Sequence, residues 1–153
     1  MGTSIIQIDV IIPTQTKYLN LIGSIGESLG KDLDDFCGDH EALAYQLNLV
    51  LTEAATNAIR HGCYNNPEDT VRISIHIQEH ELNIKVYDHG QGFDLEMVSL
   101  PDLDHPQEGG LGIFFIRTLM DSVTYTHEGE SNVLEIVKYL DMRPVIENHS
   151  NHQ

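Results

Sequence analysis

Residues 4–12 alternate β-branched and polar positions and run into Pro13-Thr14, the pattern of a strand followed by a break. Leu19, Ile22 and Leu29 then recur at helical spacing within 15–29, and a loop over 30–38 separates this helix from a longer one. The longer helix takes Asp39 as its N-cap and carries Leu43, Leu47, Val50, Leu51, Ala54, Ala58 and Ile59 to a stop at Gly62. Two stretches, 70–78 and 82–87, alternate apolar and polar residues about a short His80-Glu81 turn, as an antiparallel hairpin does. Residues 93–108 hold Pro101, Pro106 and several acids without periodicity, which predicts a flap and not a core element. A third helix is expected over 111–120. Residues 122–127 and 133–140, joined through Glu128-Gly129-Glu130-Ser131, read as a second hairpin. The order gives a layer of helices over a largely antiparallel sheet, one domain over residues 1–141 with a polar tail from 142 to 153, and no repeat or internal linker.

A chain of 153 residues can bury one sizeable core. Its 24 acidic against 8 basic residues leave a formal charge of -16, which repels nucleic-acid phosphates and anionic membrane surfaces alike. Direct binding to either is not expected. ATP is repelled by the same field, so a nucleotide site here needs a divalent cation and backbone N–H donors, and Mg2+ dependence follows. Cys37 and Cys63 form no C-x-x-C pair and are too few for a disulfide scaffold, which fits reduced thiols in a cytoplasm. The first ten residues show no basic segment followed by an apolar stretch, and no run reaches membrane-span length. A soluble, cytoplasmic, non-exported protein is the expectation.

Three short motifs in fixed order change this picture from a generic domain to a nucleotide site. In Glu53-Ala54-Ala55-Thr56-Asn57, a carboxylate and an amide stand one helical turn apart, beside the apolar stripe, where both can address one ligand. An Asn oxygen is a hard neutral ligand suited to Mg2+, and a carboxylate one turn earlier can accept a proton from a hydroxyl or water attacking a terminal phosphate. Asp88-His89-Gly90-Gln91-Gly92 leaves a strand. Its carboxylate can accept from an exocyclic amino group, while Gly90 and Gly92 let the backbone approach a flat base. Gly109-Gly110-Leu111-Gly112 opens a helix, whose freed N–H groups and dipole can hold phosphate oxygens. The same glycines would also serve as a hinge for the flap. No G-x-x-x-x-G-K-S/T occurs, which excludes a P-loop, and no H-R-D with D-F-G occurs, which argues against the eukaryotic kinase fold. His61 reads as a helix-end residue, and Arg60 and Arg117, which could contact phosphates or a partner, read by default as solvated surface cations.

The set Glu53-x-x-x-Asn57, Asp88-x-Gly90-x-Gly92 and Gly109-Gly110-Leu111-Gly112 resembles the N, G1 and G2 boxes of the GHKL ATPase superfamily. Thr56-Asn57-Ala58-Ile59-Arg60-His61-Gly62 and the run from Gly112-Ile113-Phe114-Phe115 to Met120-Asp121 further resemble its anti-sigma factor serine kinases. The resemblance implies a Bergerat-type α+β two-layer sandwich with a mixed, mostly antiparallel sheet covered on one face by helices. It also implies binding of ATP with Mg2+, sequestration of a sigma factor, phosphorylation of a serine on an anti-anti-sigma (STAS-type) protein, and a homodimer. On this pattern Glu53 is the general base, Asn57 the Mg2+ ligand and Asp88 the adenine reader. Gly90, Gly92, Gly109, Gly110, Leu111 and Gly112 belong to the nucleotide cradle. One departure bears on catalysis: some members carry an arginine just before the last glycine loop to meet the terminal phosphate, where this chain has Gln107-Glu108. Two alternatives stay open. One is an ATP-gated protein-binding regulator that transfers nothing. The other is a detached histidine-kinase ATPase module, which needs a helical phosphoacceptor segment that the sequence does not display.

Overall fold

The computed structural model of the chain describes residues 5–62, 68–89 and 110–144. Outside them lie the flap, Gly90, Gly92, Gly109, Cys63 and the tail beyond residue 144. The described elements are β1 (Ile6–Pro13), a 3-10 turn (Thr16–Tyr18), α1 (Leu19–Asp32), α2 (His40–Gly62), β2 (Thr70–Gln78), β3 (Glu81–Asp88), α3 (Gly110–Leu119), β4 (Ser122–Glu128) and β5 (Ser131–Tyr139). The strands form one sheet in the order β1-β2-β3-β5-β4. A mixed, mostly antiparallel sheet is the expectation, and all four described ladders are antiparallel.

Register explains which face the helices cover. Val10, Ile73, Val86, Leu134 and Tyr125 stand in one row across all five strands. Because side chains alternate along a strand, such rows gather most of the apolar positions on one face, with Ile11, Tyr87 and Val133 in a row on the other. Val71, Ile73, Ile75, Ile77, Leu82, Ile84 and Val86 are buried there, in one cluster with Leu47, Val50 and Leu51 of α2 and with Ile113 and Ile116 of α3. The opposite face is polar, with Gln7, Ser74, His76, Asn83 and Lys85 lining a shallow hollow. There the Gln7 amide donates to Asp9 and Ser74, both at 3.1 Å.

Asp39 caps α2 as its sequence position predicts, its carboxylate accepting from the N–H groups of Glu41 at 3.0 Å and Ala42 at 3.1 Å. α1 runs further than its apolar spacing indicates. It continues to Asp32, so Gly30 lies inside the helix and does not open a loop. A Cβ at Gly30 would meet the Ala44 backbone at 2.5 and 2.6 Å, so this glycine permits close contact between α1 and α2. Glu27 of α1 ties to the same pair of helices, accepting from Lys31 Nζ at 2.9 Å and Asn48 Nδ2 at 3.0 Å. The Lys31 hydrogen bond first, then that of Asn48, holds its carboxyl below the ordinary carboxylate range.

The first hairpin turns one residue earlier than expected: Gln78 pairs with Glu81, leaving Glu79 and His80 in the turn, with Glu79 at a φ of 57°. Met142, the first residue of the stretch read as a tail, bridges Phe36 and packs against the core. Backbone bonds from Cys37 to Asp141 (2.8 Å) and from Arg143 to Asp35 (2.6 Å) flank that bridge. Cys37 is a free, exposed thiol. Among the described residues, no helix is long and apolar enough to cross a membrane.

Candidate nucleotide site

The described parts of the three motifs lie on elements that pack together: the last turns of α2, the end of β3 and the first turn of α3. On α2, Ala54, Ala55 and Ala58 are buried in the core, and the small side chains leave the helix close to its neighbours. Glu53 and Asn57 flank them. Thr56, between the two, donates its hydroxyl to the Thr52 carbonyl at 2.7 Å, so it is engaged within the helix.

Glu53 reaches across to α3. A Cβ built on Gly112 would lie 2.5 Å from Glu53 Oε2, so the carboxylate rests against this glycine and any larger residue would displace it. The contact joins the first motif to the third. It also sets a negative charge beside the positive end of α3, where the first-turn N–H groups have no partner within the helix. α3 begins at Gly110, so Gly110, Leu111 and Gly112 form its first turn.

Asn57 departs from a simple surface reading of its position beside the apolar stripe: it is 3% exposed. Its Nδ2 has no hydrogen-bond partner in the described structure. An amide buried with one end unpaired is costly in a fold that needs only packing there, and is what a ligand-binding amide looks like.

Asp88, the last residue of β3, is also 3% exposed. Asn132 faces it in register on β5 and donates from Nδ2 to Asp88 Oδ1 at 2.8 Å. The far side of the Asn132 amide, Oδ1, is in hydrogen-bond contact with Nδ1 of His127 on β4. Asn132 is the site-adjacent residue that sequence reasoning misses, because only strand register brings it opposite Asp88. Beside this row, His89 Nδ1 and Ser131 Oγ are 3.4 Å apart. Arg60 and Arg117 are exposed. Among the described residues, no three His, Cys, Asp or Glu side chains group as a metal cage. A Mg2+ ion does not need one, since it takes few protein ligands and completes its shell with phosphate oxygens and water.

The family model described as histidine kinase-like ATPase domain matches residues 35–138. Over 157 aligned residues the chain is 32% identical to the serine-protein kinase RsbW of Listeria innocua serovar 6a, covering 97% of this chain and 96% of the relative. It is 26% identical to the serine-protein kinase RsbW of Bacillus velezensis, covering 92% of this chain and 90% of that one. Among solved structures it resembles the histidine kinase domain of the blue-light activated histidine kinase from Erythrobacter litoralis EL346, with a TM-score of 0.52 at 19% identity. That match covers 84% of this chain and 62% of the solved one, less than two thirds of its length, and it shows the fold alone.

Proposed function

Because the chain belongs to the histidine kinase-like ATPase domain family, we propose that it works as an RsbW-type serine-protein kinase. On this reading it uses Mg-ATP, sequesters a sigma factor, and phosphorylates a serine of an anti-anti-sigma (STAS-type) protein. The observation that carries the reading is the Glu53–Gly112 contact, which sets a carboxylate at the mouth of a glycine-led helix, one turn before a buried amide with an unpaired end.

Two features fit the groups this chemistry needs. The Asn57 Oδ1 is the atom that would hold Mg2+, with its unpartnered Nδ2 a donor for a phosphate oxygen or water, and the first-turn N–H groups of α3 would take phosphate oxygens beside the Glu53 carboxylate that rests on Gly112. When bound, Mg2+ supplies neutralisation of the charge that builds on the β- and γ-phosphates. Asp88 would accept from the exocyclic amino group of adenine. Glu53 would orient the serine hydroxyl in line with the γ-phosphate and take its proton as the new O–P bond forms, with ADP as the leaving group. The overall charge of -16 favours a partner with a basic surface.

Near-full-length similarity to serine-protein kinases, against a fold-level likeness to a histidine kinase domain, favours phosphoserine as the product. Gln107-Glu108 before the glycine loop supports a second reading, an ATP-gated trap without transfer. The test is incubation with γ-labelled ATP, Mg2+ and a STAS-type partner. The kinase reading expects an acid-stable phosphoserine. It also expects Glu53→Gln to lower transfer by about 10²–10⁴-fold while keeping ATP bound. Partner capture without label in the native chain would establish the second reading, and an acid-labile product would contradict both.

A further inference from the structure

We propose that Asn132 and His127 are positioning residues that fix Asp88 as a hydrogen-bond acceptor and so select a base carrying an exocyclic amino group. The inference rests on the nucleotide reading above and deepens it. The three side chains occupy one row across β3, β5 and β4: Asp88 pairs with Asn132, and Asn132 with His127. Two residues along the same face the row is Val86, Leu134 and Tyr125, so the apolar surface of the sheet turns polar at this end. Asp88 and Asn132 are only 3% and 4% exposed, where an apolar pair would avoid the desolvation cost of two polar groups.

The direction of each hydrogen bond follows from donor chemistry. Asn132 Nδ2 donates to Asp88 Oδ1, so the Asn132 carbonyl oxygen is the end that faces His127. A carbonyl oxygen only accepts, so Nδ1 of His127 must carry a proton. The imidazole is set edge-on to Tyr125, with ring centroids 5.9 Å apart, which fixes its plane. The row therefore has one polarity, from His127 through Asn132 to Asp88. It holds the carboxylate against rotation and in the accepting role. A base that presents a carbonyl in place of the amino group sets lone pairs against that carboxylate and is rejected.

Calorimetric titrations of ATP and inosine triphosphate in Mg2+ test this on the native chain, Asn132→Leu and His127→Phe. The second variant keeps a ring at an exposed position and so preserves the fold. Nitrogen-detected imidazole spectra of the native chain report which ring nitrogen is protonated. The expected results are an Nδ1–H form of His127 and a preference for ATP over inosine triphosphate that falls about tenfold in Asn132→Leu and less in His127→Phe. A merely structural role would weaken both nucleotides together and leave their ratio unchanged. An unchanged ratio in both variants, or His127 protonated at Nε2 alone, overturns the inference while leaving the nucleotide site intact. A native chain that binds neither nucleotide overturns the functional reading and this inference with it.

Discussion

Asn57 and Asp88 are buried to the same degree but are satisfied differently, and the difference separates stability from binding. Asp88 is partnered by Asn132, whereas Asn57 Nδ2 has no partner in the described structure. Leaving a buried polar group unpaired costs about 1–3 kcal/mol, so Asn57 is held in place at the expense of the unliganded fold. Replacing it with an apolar side chain of similar size removes that cost. Asn57→Leu is expected to raise the stability of the nucleotide-free protein by roughly 1 kcal/mol, read from the urea midpoint, while abolishing the response to Mg-ATP. A variant that is destabilised by a similar amount would show that the Asn57 amide has a structural partner.

At the scale of elements, the sequence is most legible where one local rule acts alone. Period-two alternation places both hairpins, and the Asp39 cap marks the start of α2. Local rules failed where the deciding atom belongs to a distant segment. Gly30 reads as a helix breaker, yet it lies inside α1 because α2 presses on it at Ala44. Nothing local marks Asn132 either, because its role appears only when β5 pairs with β3 in register. The contact of Glu53 with Gly112 joins two motifs whose order was visible and whose proximity was not. The helix contact gives a direct prediction. Gly30→Ala gains helix propensity but drives a methyl into the Ala44 backbone, and is expected to lower stability by about 1–3 kcal/mol in denaturant unfolding. A stabilised Gly30→Ala would mean that α1 and α2 can move apart without cost.

Over the whole molecule, the site lies at one end of the sheet, where α2, β3 and α3 bring their motif residues together and β5 braces Asp88. Around it stands a chain of formal charge -16, which opposes a triphosphate and attracts a basic protein surface. Partner capture is therefore expected to be steered electrostatically. Raising the ionic strength from about 0.05 to about 0.3 M should slow association by roughly tenfold or more with little change in dissociation, measured by stopped-flow mixing with the protein partner. Association rates that ignore salt would place the contact on an uncharged surface. On the proposed function the same field requires a divalent ion for nucleotide binding, and that dependence is the central claim. The measurement that tests it most directly is calorimetric titration of ATP with and without Mg2+ into the native chain, Asn57→Ala and Asp88→Asn. The account predicts Mg2+-dependent binding to the native chain and its loss in both variants. ATP binding that ignores Mg2+, or that survives in Asn57→Ala, would contradict it.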